Sequence, residues 1–428
     1  MIDHTKLWTD LGLDLELHDK IMAATEKKFE AQILSQAGRP AAMAYFDGVI
    51  HGAHGDRVAE IVERRRHGDK FIGTFCIYVP EEIVLALGAI PVALCGGTPL
   101  SIPYAEQTFP RNICPLVKST LGLAFSNTCP FGPIEDLAVG ETTCDAKKKT
   151  WDILAKGGGF HVLEVPQKKG ELDRDLWLDE VGRFKLRLEE TTGRRLDAAR
   201  LTDAVRLMNR KRTALARLHD FRKRVPAPIS GRDALVATQG ALLDDPKRYC
   251  DHLDWLNAEL EDRARRGFGA APAPGKRLMV SGCPMVLGNW KLHFILESAG
   301  AIVVCDETCI GTRYFEHNVV EVPGDLDAQM AAIAERYMKI DCSCFSPNED
   351  RIAHIVELAR ACRADGVIQY VLHACHGYNI EAIAVAAALD EAGIPSLKVE
   401  TDYSDEDSGP LGLRVEAFLE SLEPHARI

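Results

Sequence analysis

Cys76, Cys114 and Cys144 each stand where an apolar, strand-like run gives way to a turn or a helix start, at steps of 38 and 30 residues. Cys309, Cys342 and Cys375 repeat the arrangement further along, at steps of 33 and 33 residues, with Cys344 competing with Cys342 for its place. A thiolate at a helix start gains from the free N–H groups there, which lower its pKa and favour an anionic ligand set. Structural zinc sites usually pair their ligands at short spacing twice over. Here Cys342-x-Cys344 and Cys305-x3-Cys309 are isolated short pairs. Scattered thiolates suit iron–sulfur clusters, although the familiar ferredoxin spacings are also missing. Iron–sulfur ligation is the leading reading of the spacing, and zinc or buried reduced thiols stay open beside it.

The remaining candidates carry less. Cys250 and Cys362 stand in charged helical contexts and read as packing residues, while Cys95, Cys129, Cys283 and Cys305 read as packing or supporting residues. Glu81 and Glu82 after Pro80 read as acids placed at a helix start for its dipole. Lys147–Lys149 read as a solvated helix turn or as a contact for an anionic partner or substrate. His373 and His376 flank Cys375, where a histidine could support the thiolate or donate a proton near neutral pH. Neither Gly157–Gly159 nor GAAPAPGKR has the lysine and hydroxyl pattern of a phosphate loop, so no ATPase site is expected in this chain.

Elements must bring such distant thiols together. Residues 1–70 read as mainly helical, with amphipathic stretches around His18–Leu34 and Asp56–Arg66. Residues 71–166 alternate short apolar runs (FIGTF, AIPVALC, LGLAFS, DLAVG, HVLEVP) with helical stretches, which predicts βαβ units and a parallel sheet. Residues 167–275 form a charged helical segment whose basic run, RKRTALARLHDFRKR, reads as a solvated face, followed by the Pro- and Gly-rich linker Gly267–Lys276. From 276 to 428 the α/β pattern resumes, and AGAIVVC echoes LGAIPVALC of the first half. The expected fold class is α/β: two Rossmann-like lobes with parallel sheets, joined by a helical segment, with a site in the cleft between them.

Composition bounds the rest. With 428 residues and 46% hydrophobic content the chain can build two or three domains with proper cores. A formal net charge of −12 argues against general nucleic-acid binding. No basic-then-apolar leader opens the sequence and no stretch approaches the roughly 20 apolar residues of a membrane span, so a cytoplasmic protein is expected. Thirteen cysteines in a reducing compartment favour metal or redox chemistry over disulfides.

Taken together, FCIYVPEEIVLALGAIPVALCGG, PRNICPLVKSTLG, GETTCDAKKK, DETCIGTRYF, DCSCFSPN, the HAC of HACHGYN and the closing VETDYS-x5-GPLGLRVEAFLE resemble the 2-hydroxyacyl-CoA dehydratase and benzoyl-CoA reductase family. More narrowly they resemble its double-cubane cluster proteins, and the likeness runs from about Phe71 to Leu419. The resemblance implies a homodimer, two Rossmann-like lobes and an iron–sulfur cofactor between them. It implies an 8Fe–9S double-cubane cluster, with Cys76, Cys114 and Cys144 holding one cubane and Cys309, Cys342 (or Cys344) and Cys375 the other. Low-potential electrons would come from a separate ATP-hydrolysing iron–sulfur activator, and a small-molecule substrate would be reduced without oxygen present. The alternative it implies is a 2-hydroxyacyl-CoA dehydratase subunit, a lyase with a single [4Fe–4S] cluster and a different partner subunit. A non-enzymatic cluster store or electron carrier is the third reading.

Overall fold

A computed structural model describes residues 4–271 and 275–422. Residues 272–274 of the expected linker lie outside the described residues. Eight strands form two four-stranded sheets: β1 (Lys70–Thr74), β2 (Ala89–Ala93), β3 (Leu137–Glu141) and β4 (Phe160–Leu163), then β5 (Arg277–Gly282), β6 (Ile302–Glu307), β7 (Gly366–Leu372) and β8 (Ser396–Thr401). Both sheets are parallel throughout, in the orders β2-β1-β3-β4 and β6-β5-β7-β8. Helices cover parallel strands on both faces, so their sequences are apolar almost without alternation. Accordingly β3, β5, β6 and β7 are buried at every position.

The two orders are the same path walked twice, which gives structural content to the echo between the halves. In each sheet the first strand lies inside and the chain reverses direction across the sheet beside it. Such a switch point opens a crevice beyond the C-terminal strand ends, where ligands bind in open α/β sheets. Gly282, the last residue of β5, has φ +141° and no room for a side chain, since a Cβ there would fall 1.9 Å from the Tyr370 carbonyl oxygen. That close approach lets the chain turn directly from β5 into Cys283.

One expected strand is a helix. LGLAFS belongs to the helix Pro115–Phe125, whose residues from Pro115 to Leu123 are all buried. A helix buried on every side is apolar on every side, so its run resembles that of a buried strand. Pro115 at its first position suits the helix start.

The basic run is a solvated face only in part, through exposed Arg210, Arg217 and Arg224. It lies in the helix Ala198–Arg222, where Lys211, Arg212, His219 and Arg222 are buried. Nor are Glu81 and Glu82 only dipole partners at the start of the helix Glu81–Ala86. Glu82, fully buried, pairs with Arg212 and accepts from the Tyr337 hydroxyl at 2.9 Å. Glu81 accepts from the Tyr314 hydroxyl at 2.7 Å and lies 3.4 Å from the Lys211 ammonium. First lobe, helical segment and second lobe thus meet at one buried set of charges. The two runs are charged because they face each other across that junction.

Removing one partner of a buried ion pair leaves an uncompensated charge and costs about 3–5 kcal/mol. Arg212→Ala is expected to lower stability by that amount in denaturant unfolding, whereas the paired change Glu82→Gln with Arg212→Met should cost clearly less. Equal losses in the two proteins would contradict the pairing.

Candidate metal centre

The loops that leave the C-terminal strand ends of both sheets enclose one cavity of about 410 Å³. Nine of the thirteen cysteines line it: Cys76, Cys95, Cys114, Cys144, Cys283, Cys309, Cys342, Cys344 and Cys375. The repeated topology explains how. Cys95 and Cys309 each follow their strand, β2 or β6, by two residues, and Cys144 and Cys375 follow β3 and β7 by three. Cys76 and Cys283 stand just past β1 and β5. Cys305, matched to Cys95 by the sequence echo, lies inside β6 instead, because that strand runs further before it turns. All six cysteines expected as ligands line the cavity, and so do Cys95, Cys283 and the alternative Cys344.

Three thiols occupy helix starts. Cys114 is the N-cap residue of the helix Pro115–Phe125, where the backbone N–H groups of Leu116 and Val117 draw its pKa down. Cys144 caps Asp145–Leu154, its sulfur 3.5 Å from the Lys147 N–H. Cys375 is the N-cap residue of His376–Glu391, where the Tyr378 N–H draws its pKa down. These amides and the helix dipoles favour thiolates.

The neighbourhoods cross the lobes. Cys309 and Cys342 of the second lobe are among the charges felt by Cys76 of the first. Cys375 faces Cys114 from the other lobe and Cys283 from its own, and Cys144 lies next to Cys114. These neighbourhoods run both within each lobe, as for Cys144 with Cys114 and Cys309 with Cys342, and between the lobes.

Charged and hydroxyl groups surround the sulfurs. The Arg313 guanidinium lies 3.9 Å from the Cys309 sulfur and is held by Glu307 at 2.8 Å and by the Tyr378 hydroxyl. That hydroxyl is 4.0 Å from the Cys342 sulfur, and Tyr78 approaches Cys344. Lys147 is not part of a solvated turn, unlike exposed Lys148 and Lys149. Its ammonium pairs with fully buried Glu141, donates to the Phe75 carbonyl at 3.3 Å and lies near Cys76 and Cys95. His376 lines the cavity, while His373 is half exposed and pairs with Glu400 at 3.3 Å.

Electrostatics define what the cavity can hold. Burial pushes the thiols of Cys309 and Cys95 up to about 11 and raises Cys76 and Cys144. Cys114 is raised chiefly by the facing Cys375. In the Cys342–Cys344 pair one proton is shared: Cys342 is lowered, by Cys344 and then Arg313 and Tyr378, and Cys344 is raised. So many thiols cannot ionise together in an apolar enclosure without added positive charge. Soft sulfur donors in that number fit a thiophilic polynuclear metal group and do not fit magnesium or calcium, which need oxygen ligands.

Arg313, Tyr78 and Tyr378 were absent from the candidates read off the sequence. They stand within CIGTRYF, FCIYVP and HACHGYN, so the signal was the company they keep beside cysteines. Four cysteines lie outside the cavity: Cys250, buried in the helix Pro246–Arg265, Cys129, and the pair Cys305 and Cys362.

Two Rossmann-like lobes that close a thiol-lined cavity define an α/β protein whose interlobe donors suit a soft metal. The family described as 2-hydroxyglutaryl-CoA dehydratase, D-component, matches residues 76–422, beginning at Cys76 itself. The putative dehydratase subunit YjiM of Escherichia coli K12 is 35% identical over 365 residues, covering 85% of this chain and 94% of its own. The (R)-phenyllactyl-CoA dehydratase beta subunit of Clostridium sporogenes is 24% identical, covering 83% and 92%. A benzoyl-CoA reductase subunit of Thauera aromatica is 20% identical, covering 83% and 91%. The chain belongs to the 2-hydroxyacyl-CoA dehydratase and benzoyl-CoA reductase family, a family of dehydratase and reductase subunits. Among the described residues no helix is long and apolar enough to cross a membrane.

One tie beside the cavity titrates. His354 bonds Asp341, next to Cys342, at 2.9 Å and Glu316 at 2.9 Å, and these carboxylates raise its pKa from 6.5 to about 10. A raised folded-state pKa gives stability that is complete below the unfolded value and lost as pH rises through the folded one. The melting-temperature advantage of the native protein over His354→Gln should therefore be full near pH 6 and vanish by about pH 10.5. An advantage that grows with pH would contradict this assignment.

Proposed function

We propose that this chain is an iron–sulfur reductase that holds an 8Fe–9S double-cubane cluster between its lobes through Cys76, Cys114, Cys144, Cys309, Cys342 and Cys375. The observation that carries this reading is the convergence of cysteines from both lobes on one cavity, more than the three that a single [4Fe–4S] cluster would take from one subunit. The neighbourhoods favour a grouping that crosses the lobes: Cys76 with Cys309 and Cys342, and Cys114 with Cys144 and Cys375. Cys344 stands beside Cys342 as its substitute.

When bound, the cluster would supply low-potential electron transfer, which is the cofactor's own chemistry. The chain's residues set the conditions. Arg313 and Tyr378 place positive charge and a hydroxyl near Cys309 and Cys342, which stabilises electron-rich sulfur. Lys147 balances Glu141 beside Cys76. His376 stands at the cavity as a candidate proton donor. Neither glycine-rich stretch has the pattern of a phosphate loop, so ATP hydrolysis falls to a separate iron–sulfur activator. The chain would act as a homodimer on a small molecule.

A second reading is a 2-hydroxyacyl-CoA dehydratase subunit with one [4Fe–4S] cluster. The names of the phenyllactyl-CoA and 2-hydroxyglutaryl-CoA dehydratase relatives favour it.

Purified without oxygen, the chain should carry about eight irons and about nine sulfides. Cys114→Ala should lose roughly half of the iron, and turnover that depends on activator and ATP should stop. About four irons in the native chain, with dehydration of a 2-hydroxyacyl-CoA, would replace the first reading with the second.

A further inference from the structure

Cys305 and Cys362, which read as packing residues in the sequence, meet a histidine on the side of the second lobe away from the cavity cysteines. Cys305 lies in β6, Cys362 ends the helix Glu349–Ala361, and His219 comes from the long helix Ala198–Arg222 of the helical segment. Their two sulfurs and one ring nitrogen all lie within 4.8 Å of one another, and the exposures of the three residues are 0%, 0% and 5%. The His219 Nε2 is 3.7 Å from the Cys362 sulfur. We propose that His219, Cys305 and Cys362 form a second, mononuclear metal site that takes one thiophilic divalent cation of the zinc class.

The donor spacing suits such an ion. Zinc bonds of about 2.3 Å to sulfur and about 2.1 Å to nitrogen, at near-tetrahedral angles, separate the two donors by about 3.6 Å. Two thiolates with one imidazole are among the donor sets that zinc accepts, and three protein ligands leave one tetrahedral position for water. Binding releases the two thiol protons to solvent, so the ion's two positive charges are met by two thiolates and His219 stays neutral.

The surroundings favour that balance. Two of the cations near the site are already paired, Arg222 with Asp306 at 2.7 Å and Lys223 with Asp220 at 2.8 Å, and a third, Arg277, spends its guanidinium on backbone carbonyls. The facing Cys305 and then His219 lower the Cys362 thiol, and Cys305 is raised in return. Arg277 fixes the Cys362 end of the helix by donating to its carbonyl at 2.8 Å. Phe315 stacks obliquely on His219 with ring centres 5.8 Å apart, which restricts the imidazole. A bound ion would pin the helical segment to β6, the strand whose end carries Cys309.

The test uses the full chain with its iron–sulfur group in place, produced without oxygen in zinc-supplied medium, so that the cavity thiols are occupied. Metal analysis should find about one zinc per chain beside the iron, and its X-ray absorption edge should show a shell of two sulfurs and one nitrogen with a further light atom. Cys362→Ser should lose the zinc and keep the iron. Absence of zinc, zinc retained at full level in Cys362→Ser, or a Cys305–Cys362 disulfide in the native chain would overturn the proposal. Should Cys362→Ser fail to fold, the native spectrum decides alone, because a shell of four sulfurs would place the zinc among the cavity thiols and overturn it as well.

Discussion

Two parallel sheets aim their C-terminal edges at one another, and the loops that leave those edges carry sulfur. Every other property of the centre follows from that confrontation. A single open sheet offers one crevice lined by the loops after its strands. Here the same four-strand path occurs twice, so two crevices share one cavity, and Cys76 and Cys114 meet thiols of the opposite lobe. Loop backbones approach closely enough there that a Cβ on Gly97 would fall 2.3 Å from the Leu287 carbonyl oxygen. The lobes cannot be separated without opening the thiol-lined cavity.

Such a cavity is costly to keep without positive charge, and the protein supplies that charge in layers. Helix starts at Cys114, Cys144 and Cys375 offer backbone N–H groups. Beyond them stand Lys147 with Glu141, and Arg313 and Arg351 with Glu307. Buried arginines tied to carboxylates cannot swing away, so their field at the sulfurs is fixed before any cofactor arrives. The Glu82–Arg212 and Glu81–Lys211 junction performs a different task, holding the helical segment against both lobes, which keeps the two strand edges in register.

The α/β class and the place of Cys76, Cys144, Cys309 and Cys375 after strands and of Cys114 at a helix start were legible because parallel strands are apolar runs and turns interrupt them, whereas Cys342 lies in the loop between the helices Leu326–Met338 and Glu349–Ala361. Cys95 and Cys283 were harder, since nothing in their spacing distinguishes a cavity thiol from a packed one. Lys147 and Arg212 were misread as solvated because charge runs usually are, and only a folded partner such as Glu141 or Glu82 reverses the sign of that expectation. LGLAFS failed for a related reason, as a helix buried all round has no amphipathic period. The meeting of thiols from both lobes in one cavity depends on how two domains face each other, and no one-dimensional pattern contains it.

Joint ligation of one iron–sulfur group by both lobes is tested most directly by anomalous diffraction at the iron edge, from crystals grown without oxygen. The expected result is iron density inside the cavity bonded to Cys76, Cys114 and Cys144 from one lobe and to Cys309, Cys342 and Cys375 from the other. Iron bonded to cysteines of one lobe alone, or a cavity without iron, would contradict it.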